Sequence, residues 1–149
     1  MGLAVLYEDN HCLAVAKPAP LLTQGVPPGV PTLEALVKAY LKEKYHKPGN
    51  VYLGTPHRLD RPVSGVLLFA RTSKAAARLA QQFREGTVDK VYWAVVEGEV
   101  AVEAGSLDDW LLKDRRAGRV EVVEPRTPGA RQALLHFQKR RVHGGLAWL

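Results

Sequence analysis

The chain has 149 residues, 46% apolar and 24% charged, with a net charge of +6 and a sequence pI near 9.6. That length corresponds to one domain able to bury roughly two thirds of its unfolded surface, and the composition excludes a largely disordered polypeptide. A lone cysteine, Cys12, excludes an internal disulfide; no apolar run reaches bilayer length and residues 1–4 lack the basic start of a secretory leader, so a cytoplasmic protein with no membrane partner is expected.

Two apolar clusters, residues 3–7 and 12–16, flank the turn-rich tetrad Glu8-Asp9-Asn10-His11 and predict a β-hairpin. Cys12 lies in the second cluster and reads as a buried, inert thiol. Lys17-Pro18 ends that strand, because proline cannot donate to a ladder, and loop follows through Gly25, Pro27, Pro28, Gly29 and Pro31. Thr32 then caps an amphipathic helix with Leu33, Leu36, Val37, Tyr40 and Leu41 on one face, stopped by His46-Lys47-Pro48-Gly49-Asn50. Residues 51–53 read equally as a short strand or as an extended entry to the polar stretch that follows.

That stretch, His57-Arg58-Leu59-Asp60-Arg61-Pro62-Val63-Ser64-Gly65, is turn-forming and sits directly before the apolar run 66–70. An aspartate between two arginines, stiffened by Pro62 and Gly65, is a carboxylate on a constrained loop, and opposite charges favour its ionised form. An Asp before Arg-Pro also serves commonly as a plain turn or capping residue.

Strand 66–71 gives way to a helix capped by Thr72 or Ser73, with Ala75, Ala76, Leu79, Ala80 and Phe83 on one face and Gly86 as its stop. Residues 88–102 predict a long strand, bent at Gly98, whose two faces are both apolar, placing it centrally in a sheet. Trp110-Leu111-Leu112 and residues 120–124 bracket the group Lys113-Asp114-Arg115-Arg116-Ala117-Gly118-Arg119, which reads as a basic hairpin turn. Residues 132–138 predict another strand, and residues 139–145 turn into an apparent final strand at Leu146-Ala147-Trp148-Leu149. All twelve arginines lie from Arg58 onward, and the guanidinium group suits bidentate phosphate contacts, which favours a polyanionic partner. No repeat, phosphate-loop motif or metal-ligand spacing is present, so no metal is expected.

His57-Arg58-Leu59-Asp60, followed by Ser64-Gly65 and an apolar strand, resembles the active-site motif of the RluA-type RNA pseudouridine synthases. Lys17-Pro18-Ala19 resembles the N-terminal signature of that family and Lys90-Val91-Tyr92 its Lys-x-Tyr strand, the three in the family's order. Val63 stands where many members carry Thr. The resemblance implies an α+β fold, a mixed but mostly antiparallel sheet with two or more helices. It also implies isomerisation of specific uridines in structured RNA, rRNA or tRNA, with no cofactor. Asp60 would be the catalytic carboxylate, as covalent nucleophile or as the base that begins an elimination, and Tyr92 a second catalytic residue, stacking on the flipped base or handling a proton late in the reaction. Arg58 would enter the space left by the flipped base. His57, Arg61, Arg115, Arg116 and Arg119 are further candidates for RNA contact, with a structural role in the loop favoured for His57. Lys17 is balanced between a phosphate contact and a solvated strand end.

Residues 1–149 match the first part of the family's catalytic domain, without an N-terminal RNA-binding domain. The family pattern continues into a Thr-Gly-Arg-x-His-Gln-Ile-Arg-like motif whose Arg pairs with the catalytic Asp, and nothing after Gly145 supplies it. Feeble isomerase activity is therefore expected of these 149 residues, and a catalytically silent RNA-binding remnant is the alternative. Self-association through the apolar Leu146, Trp148 and Leu149 is a further expectation.

Overall fold

A computed structural model describes residues 2–25, 29–114 and 117–149, which divide into two compact units, Met1–Asp89 and Lys90–Leu149. In the first unit, β1 (Ala4–Glu8) and β2 (Cys12–Lys17) form the expected hairpin. Its turn is closed by the Asp9 carboxylate, which accepts the amides of His11 at 2.7 Å and Cys12 at 2.6 Å. The backbone bond from Cys12, then that from His11, holds the Asp9 carboxyl below its ordinary range. Cys12 itself is only half-buried, and that burial pushes its thiol up, away from the reactive thiolate.

β2 pairs on its other side with β3 (Gly65–Ala70), so the sheet order is β1-β2-β3, all antiparallel. The period of two sends Leu13, Val15 and Lys17 to one buried face, opposite Phe69, Leu67 and Gly65 in the ladder. Leu33, Val37 and Leu41 of α1 (Leu33–Lys44) join Leu13, Val15, Leu67 and Phe69 in the core, with Val51, Leu53 and Leu59. Thr32 caps α1 by accepting the Ala35 amide, and Thr72 caps α2 (Ser73–Glu85) by accepting the Ala75 amide, both at 3.2 Å. Gly86 ends α2 at φ 70°, a left-handed position that favours a residue without Cβ. Residues 51–53 are extended but enter no strand; Gly54 alone bridges to Ala70. Glu8 ties these elements together, accepting hydrogen bonds from Tyr40, Lys44, Tyr45 and Arg71.

The second unit contains β4 (Val95–Glu97), β5 (Ala104–Asp114), β6 (Arg119–Val123), β7 (Arg131–Gln138), β8 (Arg141–His143) and β9 (Leu146–Trp148). They form two antiparallel sheets, β4-β9-β8 and β6-β5-β7. The fold is thus α+β and antiparallel as expected, with the ladders among the described residues divided into three sheets of three strands. The one parallel pairing among the described residues is the isolated bridge Leu22–Thr32.

Three expectations need correction here. The long central strand over 88–102 is reduced to Val95–Glu97. Residues 91–94 lie outside any strand, and Val91 and Trp93 are 89% and 76% exposed, because an all-apolar segment becomes a strand only where neighbours supply a ladder. The apolar end at Leu146 is not an unpartnered strand: Gly144 and Gly145, with φ of 58° and 75°, make a tight two-residue turn that folds β9 back between β8 and β4. β5 also begins earlier than its apolar signal, at Ala104. Its polar half is zipped to β7 by cross-strand pairs, Ser106–His136 at 2.6 Å and Gln132–Asp108 at 2.8 Å.

Candidate active site

Along the segment from His57 to Asp60 the side chains alternate between the protein and solvent. His57 is half-buried and Leu59 is in the core, whereas Arg58 and Asp60 are exposed. This alternation fixes which groups can meet a substrate. His57 stacks on Phe83 of α2, ring centroids 4.6 Å apart at 18°, and its Nε2 accepts the Leu68 amide of β3. Leu59 packs beside Gly65, whose φ of 148° suits glycine and lets the chain enter β3. The Val63 amide donates to Asp60 O at 3.1 Å, closing the turn that Pro62 stiffens.

The loop after β2 grips this main chain. The Thr23 hydroxyl donates to Leu59 O at 2.8 Å in a buried bond, and Arg61 Nε donates to Pro20 O at 3.3 Å. Lys17 Nζ, at the buried end of β2, donates to Leu21 O at 2.6 Å and to Pro18 O and Arg61 O, each at 3.3 Å. The carbonyls on both sides of Asp60 are therefore held by buried side chains, while Asp60 itself is exposed.

Two sequence expectations change at this point. Lys17 is neither a solvated strand end nor a phosphate contact: it is 1% exposed, because the alternation of β2 places it on the core face beside Leu13 and Val15. Burial lowers its pKa, and the charge of Asp60 acts in the opposite direction. Arg61 turns to the Pro20 carbonyl, although it remains exposed. Among the described residues neither Arg58 nor Arg61 forms an ion pair with Asp60, so the flanking arginines do not supply its counter-charge by contact.

The other candidates lie in the second unit. Tyr92 is 59% exposed and stands outside any strand. Arg119 opens β6 and pairs with Glu121 at 2.8 Å, both ends exposed, so the pair is weak and its guanidinium is open to an anion. Arg115 and Arg116 fall outside the described residues. Among the described residues no group of three or more His, Cys, Asp or Glu is placed to hold a metal. The wider surface groove, about 500 Å³, runs along α2 past Cys12, Lys74 and Arg78, not at Asp60.

The sequence pattern of the RNA pseudouridylate synthases matches residues 11–147. The dual-specificity RNA pseudouridine synthase RluA of Vibrio vulnificus is 33% identical over 93% of the chain and 53% of its own length. The tRNA pseudouridine synthase C of Haemophilus ducreyi is 36% identical over 72% of the chain and 42% of its own length. Human RNA pseudouridylate synthase domain containing 4 has a similar fold, with a TM-score of 0.78 at 22% identity over 97% of this chain and 56% of that one. The chain thus spans about half the length of the relatives it matches.

Proposed function

The chain belongs to the RNA pseudouridylate synthase family, and from that premise we propose that it is the partial catalytic domain of an enzyme that isomerises specific uridines to pseudouridine in structured rRNA or tRNA, with Asp60 as the reacting carboxylate. The reaction breaks the bond from N1 to C1′, turns the uracil, and joins C5 to C1′; the C5 hydrogen leaves as a proton and N1 gains one. No electron or group donor enters, so an ionised carboxylate at the sugar suffices to start it, either by attacking C1′ or by removing a proton. The target base must first leave its stack, at a cost of a few kcal/mol. Arg58, exposed like Asp60 two residues on, suits the space the base vacates, and Tyr92 is assigned the stacking role by its place in the Lys-x-Tyr motif.

One observation carries this reading: the main chain on both sides of Asp60 is anchored inward by Thr23 and Lys17 while the carboxylate itself stays exposed. A capping or turn aspartate would use its oxygens on nearby amides, as Asp9 does. The test is Asp60→Asn in a chain extended by a family C-terminal segment, with pseudouridine formation followed by release of tritium from C5-labelled uridine in RNA. Loss of turnover with folding and RNA binding retained is the expected result; retained turnover would remove Asp60 from the chemistry.

The exposure of Val91, Tyr92 and Trp93 favours the second reading, an RNA-binding domain without turnover, because a stacking ring must be held in place to receive a base. RNA binding without tritium release in an extended chain of family length would establish that reading.

A further inference from the structure

The charges of α2 run against those of α1. α1 carries Glu34 in its first turn, paired with Lys38, and Lys42 and Lys44 in its last, as the helix dipole favours. α2 has no acid in its first turn and places Lys74 there, at the positive end of the dipole. Arg78 follows four residues on, along the same edge, so two like charges stand side by side. Both are exposed, and among the described residues neither forms an ion pair. Each placement works against the helix unless an anion relieves it. These cations border the groove of about 500 Å³ between α2 and the turn of the β1–β2 hairpin. Cys12, Ala75 and Leu79 are its half-buried apolar part; Lys74, Arg78 and His11 are its exposed rim. Among the described residues no carboxylate lines it. Asp9, the nearest acid in sequence, commits its oxygens to the amides of His11 and Cys12 and to the Tyr7 hydroxyl, and Glu8 is held by Tyr40, Lys44, Tyr45 and Arg71.

We propose that this groove binds one unpaired nucleotide of the RNA substrate, its phosphate at Lys74 and Arg78 and its base against Cys12, Ala75 and Leu79. The proposal rests on the chain acting on RNA, not on Asp60 being the reacting group. The volume is more than a lone phosphate fills and falls within the range of sites for small organic ligands. An acidic peptide carries charge and apolar surface on separate side chains, whereas a nucleotide joins a phosphate to a flat ring within one unit, which suits so short a groove. Arg78 serves both parts, since a guanidinium binds phosphate oxygens and also lies flat on a base. A paired base is kept out, because leaving the stack costs a few kcal/mol that an unpaired one does not pay. The groove lies past the C-terminal end of β3, whereas the Asp60 loop precedes its N-terminal end, about 17 Å away along the strand. It therefore holds a nucleotide other than the one that reacts, and adds to recognition without entering the chemistry.

Cys12, the single cysteine, is the reporter. The whole 149-residue chain is treated with uncharged N-ethylmaleimide at mildly alkaline pH, where the thiol is partly ionised. It is treated alone, with saturating oligouridylate of about eight nucleotides, with a blunt RNA duplex and with polyglutamate. Oligouridylate should slow alkylation of Cys12 roughly tenfold or more, because a covered thiol reacts only when the site opens. The duplex and polyglutamate should leave the rate unchanged. In Lys74→Gln with Arg78→Gln, two exposed positions, affinity for oligouridylate read by fluorescence anisotropy should fall roughly tenfold at moderate salt, and the protection should go with it. Oligouridylate that binds while Cys12 stays fully reactive would overturn the groove as its site and leave the RNA reading standing. Unchanged affinity in the double variant would overturn it too. Equal protection by the duplex would overturn the unpaired nucleotide, and equal protection by polyglutamate would replace it with an acidic protein segment. Binding of neither RNA would overturn the RNA reading itself, and the groove with it.

Discussion

His57 Nε2 accepts the backbone N–H of Leu68 at 2.9 Å, which pins the head of the active-site loop to the middle of the strand that follows it. An accepting Nε2 carries no proton, so the imidazole facing β3 is not an imidazolium. His57 is then a part of the loop's scaffold, with Phe83 against its ring. His57→Phe keeps a ring on Phe83 but leaves the Leu68 amide unpaired, and should destabilise the fold by about 1–3 kcal/mol. Denaturant melts and exchange at the Leu68 amide measure this. A loss of RNA affinity with unchanged stability would instead make His57 an RNA ligand.

Glu8 provides a pH prediction. Burial pushes its carboxyl up, but the bonds from Lys44, Tyr45 and Tyr40 outweigh that and bring it down to about 2, against an ordinary 4.5. A carboxylate whose folded pKa is depressed contributes stability that is complete above its unfolded value and is lost as pH falls through the folded one. The contribution should therefore be full above about pH 4.5 and decline toward pH 2. Glu8→Gln should cost roughly 1–3 kcal/mol at neutral pH, discounted for the half-exposed Lys44, and should flatten the acid limb of a stability curve measured by urea melts.

Binding to structured RNA should weaken steeply with salt, because Arg115, Arg116, Arg119, Arg140 and Arg141 would displace counterions from phosphates. Replacing Arg119, Arg140 and Arg141 together by Gln should make the slope of log K against log salt shallower by about 2 to 3. An unchanged slope would leave these arginines solvated and not RNA-bound.

A polypeptide of these 149 residues should turn over slowly or not at all. Tyr92 is exposed and stands outside any strand, so the ring expected to receive a flipped base is not held in place. Misplacement by about an ångström can cost on the order of a hundredfold in rate. Tritium release from the short chain, compared with one extended by the C-terminal part of the Vibrio relative, measures the difference. Equal rates would show that groups within these residues complete the pocket.

Where local chemistry decided the structure, it was legible. Thr32, Thr72 and Gly86 mark helix ends by satisfying or relieving backbone groups, and both helices begin or end there. The hairpin turn at Asp9 and the extended run into β3 follow from side-chain chemistry and period. What escaped depends on partners distant in sequence. The polar half of β5 is a strand because β7 lies beside it, whereas the β4–β9 pairing reaches back only to Ala94, bonded to Leu149, and among the described residues no ladder reaches residues 91–93. Within the site, Asp60 and Arg58 were legible as loop residues. The burial of Lys17 was carried by the alternation along β2, with Val15 and Leu13 two and four positions before it, but a lysine beside proline at a strand end ordinarily reaches water.

The pairing of Lys17 with Gly65 has a kinetic meaning as well. β1 and β2 are neighbours in sequence and can zip together within microseconds, but β3 reaches β2 only after the whole excursion from Pro18 to Ser64 has been closed, an entropic cost met late. During synthesis the hairpin must wait for β3 to emerge, and until it docks neither His57 nor Lys17 has its final partners. The reverse holds in the finished protein: any fluctuation that peels β3 from β2 releases both ends of the Asp60 loop at once. Assembly of the reactive loop and closure of this sheet are therefore a single cooperative event, and the lifetime of the competent loop cannot exceed that of the β2–β3 ladder.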